Sequence, residues 1–411
     1  MQLSRIRTFA PIRVLATLML CVAVFATAGC QSRKVAEPAQ AGEPPPPADP
    51  TLVELEAVEP EAPKTPRVGL LLPLTGPYAA IGTSMLQAAE MALFDTADPE
   101  FVLLPRDTGG TPAGAARAAQ EVLDQDVGMI VGPLFAGSVE AVAPLARANG
   151  VRVVSFSTSL GAAGDGVYIM GFLSRDQIAR AVEYAMANGA YRFGGLFPSS
   201  PFGQQMAAEF ADSVQGGGGQ LLRSDYFDPA AVDNSAVVKS FAAMPPPGPD
   251  LPAYDAVLVG AGGRALVGIV PLLPYYDIDQ PPTRYLGTGQ WDDPSLGREP
   301  SIVGGWYAAP DPAGRAPFEE RYAAFFGQAP HRLSTIAYDA TNLAGYLATL
   351  PEGPSFTDEL LTRPDGYAGL DGLFRFLSDG RNERRLAVLE VRRGGPAVIA
   401  PAPAGFEVLT D

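Results

Sequence analysis

The run from Arg67 to Phe94, RVGLLLPLTGPYAAIGTSMLQAAEMALF, limits what this chain can fold into more than any other stretch. Val68 to Leu72 are five consecutive apolar residues ended by Pro73, the pattern of a short strand buried on both faces. A loop of small and turn-forming residues follows (Thr75, Gly76, Pro77, Tyr78, Gly82). Then Met85, Ala88, Ala89, Ala92 and Leu93 recur at helical spacing. Strand, small-residue loop and helix make the opening unit of a doubly wound α/β domain, and such domains bind ligands just beyond their strand ends.

The alternation continues. Phe101–Leu104 reads as a strand and Asp107-Thr108-Gly109-Gly110 as a turn. Thr111-Pro112 reads as an N-cap with proline in the first turn of a helix that ends at Leu123. Strands at 127–131 and 151–155 flank a helix at 138–149. A second set holds helices at 176–188 and 203–214 and strands at 193–197, 221–226, 256–259 and 284–286, with helices at 237–243 and from 264. Helices at 318–326 and 334–350 and a strand at 386–391 are too few and too mixed for a third domain. A chain that builds one lobe, builds a second and returns accounts for them, and 411 residues allow two or three domains.

The start of the chain reads as a leader and a tether. Arg5, Arg7 and Arg13 precede a largely apolar stretch of fifteen residues, Val14 to Ala28, short for a membrane span and right for a signal-peptide core. The leader, 1–29, ends at Thr27-Ala28-Gly29-Cys30. Small residues directly before a cysteine resemble the lipobox of bacterial lipoproteins, with Thr27 where Leu is usual. That resemblance implies lipidation of Cys30, and Gln31 in place of Asp implies the outer membrane. Cys21 is lost with the leader, so no disulfide forms within the mature chain. Residues 31–66 are rich in Pro and Glu, hold no aromatic residue and cannot bury a core. Extended at ~3.1 Å per residue, this linker reaches about 110 Å. Without its leader the chain carries a charge near −19, with 26 basic against 45 acidic residues, so nucleic acid is excluded as a partner.

Enzyme chemistry lacks its parts. The chain has one histidine, His331, in a loop between helices, and a surface role suits it better than catalysis. No Gly-x-Ser-x-Gly elbow is present. Gly260-Ala261-Gly262-Gly263-Arg264-Ala265 matches a dinucleotide fingerprint, with Asp277 seventeen residues on. Its mid-chain position favours closely packed glycines at a strand–helix turn. Asp292 and Asp293 are adjacent, and adjacent carboxylates rarely straddle one substrate bond. No metal or cofactor is expected.

The segments VGLLLPLTGPYAAIG, DTGGTP at 107–112, IVGPLFAGSVEAVAPLARANGVRVVSFS, AYDATNLAGYL and GLDGLFRFLSDGRNERRLAVLEV, in this order, resemble type I periplasmic solute-binding proteins of the Leu/Ile/Val-binding group. The resemblance spans 67–395. It implies an α/β fold of two doubly wound, Rossmann-like lobes joined by a hinge, the Venus-flytrap arrangement. The lobes would be 67–173 plus 309–377 and 174–308 plus 378–395, with 396–411 a tail.

In that family, hydroxyls and amides hold the carboxylate of an amino acid, while a glutamate and tyrosines handle its ammonium. Ser157 and Ser159 keep hydroxyls in the carboxylate loop, and Phe202 keeps an aromatic. The family's loop serine falls on Ala136, its tyrosines on Ile81 and Gly262, and its glutamate on Gly289, beside Gln290. An ammonium enclosed without a counter-charge loses roughly 3–5 kcal/mol, so unless Asp292 or another acid substitutes, an amino acid should bind poorly.

The resemblance implies a non-enzymatic binder of a small polar solute in the inter-lobe cleft, in the periplasm, serving an ABC permease for amino-acid-like solutes. The alternative, carried by the same fold, is an outer-membrane lipoprotein that activates a penicillin-binding protein by protein contact. The membrane is met through the lipid alone.

Overall fold

The computed structural model describes residues 66–96, 98–249 and 251–406. The expected signal segment 1–29, Cys30, the linker as far as residue 65, and residues 407–411 lie outside the described residues.

The opening apolar run is strand β1 (Arg67–Leu72), and its two faces meet different cores. Leu70 and Leu72 pack with Met85 and Ala89 of the helix Ala79–Thr96, and with Ile336 and Ala340 of the helix Ser334–Ala348. Leu71 packs instead with Ala115, Val122 and Val142 of the helices Pro112–Leu123 and Ala136–Ala148. Side chains alternate between the faces of a strand, so helices on both sides demand an unbroken apolar run. Each leucine fully withdrawn from water contributes roughly 1.5–3 kcal/mol. Strands β2 (Val102–Asp107), β3 (Met129–Val131), β4 (Arg152–Ser155) and β5 (Val167–Ile169) join β1 in a parallel sheet of order β2-β1-β3-β4-β5.

The second lobe repeats this plan. Strands β6 (Arg192–Pro198), β7 (Gln220–Phe227), β8 (Ala256–Val259), β9 (Arg284–Gly287) and β10 (Trp306–Ala309) run parallel in the order β7-β6-β8-β9-β10. The chain then returns to the first lobe. There the helix Pro312–Phe326 sets Phe318 and Tyr322 against Ala88 and Ala92. An antiparallel sheet of β11 (Tyr367–Gly369), β12 (Gly372–Phe376) and β13 (Asn382–Arg384) adds Phe374 and Phe376 to the core under β1. Finally β14 (Ala387–Glu390) pairs antiparallel with β10, and β15 (Ala397–Ala400) with β14.

Three placements differ from the expected segments. Ala309 ends β10 in the second sheet, residues 382–384 pair with β12, and residues 397–400 form an edge strand where a tail was expected. Strands β5, β10 to β13 and β15 have no counterpart in the sequence reading. Each has three to five residues, too few for a period of two to show.

Three crossings join the lobes, at 170–174, 310–312 and 385–386. Asn382 fastens the first, donating from Nδ2 to the carbonyls of Ile169 (2.6 Å) and Gly171 (2.9 Å). The backbone N–H of Arg384 donates to the Asp176 carboxylate at 3.2 Å.

Candidate functional site

Loops at the carboxyl ends of strands in both sheets line one cavity of about 560 Å³. From the first lobe come Tyr78 and Ile81 after β1, Leu134 to Ala136 after β3, and Phe156 to Ser159 after β4. The second lobe supplies Gln177, Phe202, Thr288 to Gln290 and Asp292. Phe172 lies on the first crossing, and Arg332, Leu333 and Ile336 on the returned part of the first lobe. Sheets that reverse strand order beside β1 leave a crevice at that point, and the first-lobe loops flank it.

The serine loop is built by alternation. The Ser155 hydroxyl donates to the Pro133 carbonyl at 2.9 Å and accepts the Ser157 N–H at 3.0 Å. Ser157 accepts the Ser159 N–H at 3.0 Å, and Ser159 the Gly161 N–H at 3.5 Å. Each serine thus turns the chain two residues on. The hydroxyl hydrogens of Ser157 and Ser159 meet no acceptor among the described residues and are available to a ligand. Gly171 lets the crossing approach this loop, since a Cβ there would stand 2.3 Å from the Ser157 carbonyl oxygen.

Asp107 fixes the loop after β1. Its carboxylate accepts the N–H groups of Leu74 and Gly109, each at 2.8 Å, and the Thr75 hydroxyl at 2.5 Å. Burial alone would raise its pKa; the hydrogen bonds from Thr75, Gly109 and Leu74 outweigh it and hold the carboxyl below its ordinary value.

Seven of the eight ligand positions expected from sequence line the cavity: Ile81, Ala136, Ser157, Ser159, Phe202, Gly289 and Gln290. Gly262 does not. It precedes the helix Gly263–Ile269 and backs onto Gln290, whose Cβ would lie 2.9 Å from a Cβ at 262. Gly260 likewise lies against the Phe197 ring, so close packing accounts for both glycines of the fingerprint-like turn. His331 is exposed; its N–H donates to the Ser84 hydroxyl at 2.9 Å, and its Nδ1 accepts the Leu333 N–H.

Gln177, Phe172 and Arg332 escaped the sequence reading. Gln177 accepts the Gly289 N–H at 2.6 Å and so holds the loop after β9. Phe172 has two guanidinium groups over its ring, Arg332 at 4.6 Å and Arg384 at 4.9 Å from the ring centre. No local pattern marks these residues, because their roles come from contacts across the chain.

The electrostatics turn on Asp292. Its side chain is 4% exposed, 2.9 Å from Arg315 Nη2 and 3.6 Å from Arg332 Nε. The Tyr307 hydroxyl donates to its other oxygen at 3.4 Å. Arg332 is also held by Asp371 at 2.8 Å. Burial works against the charge on Arg332, and the carboxylates of Asp371 and Asp292 raise its pKa regardless. Among the described residues lining the cavity, Asp292 is the only acid and Arg332 the only base.

A sequence model of the family described as periplasmic binding protein matches residues 65–396. The chain belongs to the periplasmic binding protein family. Among relatives of this binding protein is the Leu/Ile/Val-binding protein BraC3 of Rhizobium johnstonii, 27% identical over 198 residues that cover 46% of this chain and 54% of that protein. The chain spans about half the length of the curated relatives it matches. Two solved structures share its fold. The solute-binding protein of an ABC transporter from Rhodopseudomonas palustris BisB5, in complex with 3,4-dihydroxybenzoic acid, superposes with a TM-score of 0.61 at 19% identity, covering 84% of this chain and 98% of that one. LivJ from Streptococcus pneumoniae, in complex with isoleucine, gives 0.59 at 17% identity, covering 82% and 99%.

Proposed function

We propose that this periplasmic binding protein is the non-enzymatic, lipid-anchored recognition component of an ABC importer, and closes about its hinge on a small organic solute. The observation that carries this reading is a cavity of about 560 Å³ between the lobes, lined from both sides by residues that follow the strand ends. A solute there touches both lobes only when they are together, so binding shifts the population toward closure. Known relatives of this fold hold an amino acid or an aromatic acid in complex, which sets the size of molecule to be sought. The expected signal segment and Cys30 put the protein in the periplasm on a lipid anchor, and Gln31 favours the outer membrane.

A thermal-shift panel of small organic acids, amino acids and sugars tests the reading. A ligand at a hundred times its Kd adds about 2.7 kcal/mol to stability, enough to raise Tm by several degrees. A panel with no shift at all would count decisively against a solute role.

A second reading, activation of a penicillin-binding protein by contact, is favoured by one observation: Arg315 and Arg332 bridge to Asp292 across the cleft. Lobes held together this way suit a rigid contact surface. Retention of a bifunctional penicillin-binding protein from membrane extract by the immobilised protein is its test, and failure at every salt concentration argues against it.

A further inference from the structure

We infer that the solute is a carboxylate with an apolar aromatic or branched aliphatic body and no ammonium group. This rests on the solute-binding reading above and narrows it to one chemical class.

The argument begins with the groups that could meet an ammonium. Asp292 is the one acid among the described lining residues, and Arg315 at 2.9 Å and Arg332 at 3.6 Å set two counter-charges against its Oδ2, without hydrogen-bond geometry to it. Position 289, beside it, is glycine. The Gln177 oxygen accepts the Gly289 N–H. An α-ammonium brought into this cavity would lose its water and find two guanidinium groups near the only carboxylate. The mismatch works against an amino acid by about a hundredfold or more in affinity.

The groups that could meet a carboxylate are differently placed. The hydroxyls of Ser157 and Ser159 each accept a backbone N–H, and among the described residues they donate to no protein acceptor. Thr288 accepts the Gln290 N–H at 3.4 Å and leaves its hydroxyl hydrogen in the same condition. These donors come from both lobes and line the same cavity. Most of the exposed wall is apolar, with Ile81, Phe156, Phe172, Phe202, Leu333 and Ile336 outweighing polar groups such as Thr158 and Gln290. Such a wall gains from a ring or a branched chain and offers a hydroxylated solute few partners.

Pairs of solutes that differ only in the ammonium give the test, by titration calorimetry on the purified protein: leucine against isocaproate, and phenylalanine against hydrocinnamate. The acid lacking nitrogen is expected to bind about a hundredfold tighter, and hydrocinnamide, its uncharged analogue, much more weakly than hydrocinnamate. Equal or tighter binding of the amino acids overturns the inference and leaves the solute reading in place. So does silence from every pair when some other solute in the thermal-shift panel raises Tm. Silence from the whole panel brings down the solute reading itself. In Arg315→Met, which uncovers Asp292, phenylalanine should gain about tenfold and hydrocinnamate should not; an unchanged ratio overturns the role given to Asp292. The wild-type pairs decide the question if that variant fails to fold.

Discussion

Oδ2 of Asp292 stands 2.9 Å from Nη2 of Arg315, and the two residues belong to different lobes. Asp292 follows β9 beside Trp291, which is buried in the second-lobe core. Arg315 lies on the helix Pro312–Phe326, packed on the first lobe through Phe318 and Tyr322. The contact exists only when the lobes are together, so it biases the hinge toward closure. Asp292→Asn should therefore shift the ligand-free protein toward an open form, read as a larger radius of gyration in small-angle scattering. Breaking one side of a mostly buried pair costs about 3–5 kcal/mol at most, so Tm should also fall by several degrees. An unchanged scattering profile would show that the bridge does not govern the hinge.

Phe202 is a surface aromatic at the first turn of the helix Pro201–Gly216, 40% exposed, with its ring at the cavity. Being half exposed, it contributes little to folding. Phe202→Ala should leave the ligand-free Tm within about 1 °C and weaken binding of a cavity ligand about tenfold, as expected for an aromatic contact of ~0.5–1.5 kcal/mol plus buried area. A large fall in Tm without loss of affinity would reassign the residue to the core.

Asp339 is buried on the helix Ser334–Ala348, and burial, aided by the charge of Asp371, pushes its pKa up to about 7. Asp176, in the first turn of the helix Ser174–Ala187 that follows the first crossing, is pushed up to about 6, again chiefly by burial. The folded chain holds these protons more tightly than the unfolded chain, so stability is full below the unfolded value near 3.8. It falls as pH rises toward 7. Asp339→Asn should flatten that fall, stabilising the protein at pH 7.5 more than at pH 4.5 in denaturant melts. Equal shifts at both pH values would refute the burial argument.

Cys30 lies outside the described residues, and its role rests on the Thr27-Ala28-Gly29-Cys30 junction. Cys30→Ala should move the protein from the membrane fraction to the soluble periplasmic fraction. Continued membrane attachment would exclude lipidation there. Among the described residues, no helix is long and apolar enough to cross a membrane.

The two-sided burial of β1 was legible in the chain itself, and the family resemblance pointed to the serine loop. A strand covered by helices on each face must be apolar at every position, and Val68 to Leu72 are. Serines at 155, 157 and 159 can each accept the N–H two residues on, a local geometry that needs no distant partner. Of the seven cavity residues named from sequence, Ser157 and Ser159 lie in this loop, Ile81, Ala136 and Phe202 in the first turns of helices that follow strands, and Gly289 and Gln290 in a short helical turn after β9.

What the sequence could not decide was which polar groups in the cleft remain unpaired. In the sequence Asp292 stood as one acid that could substitute for the missing glutamate, and only the return of the chain through Pro312–Phe326 and Arg332 brings two guanidinium groups to it. The short strands β11 to β13 and β15 were hidden for a related reason, since their pairing partners lie on other segments. Periodicity records how a segment meets a core. Charge pairing depends on residues far apart in the chain, and so is settled only by the tertiary structure.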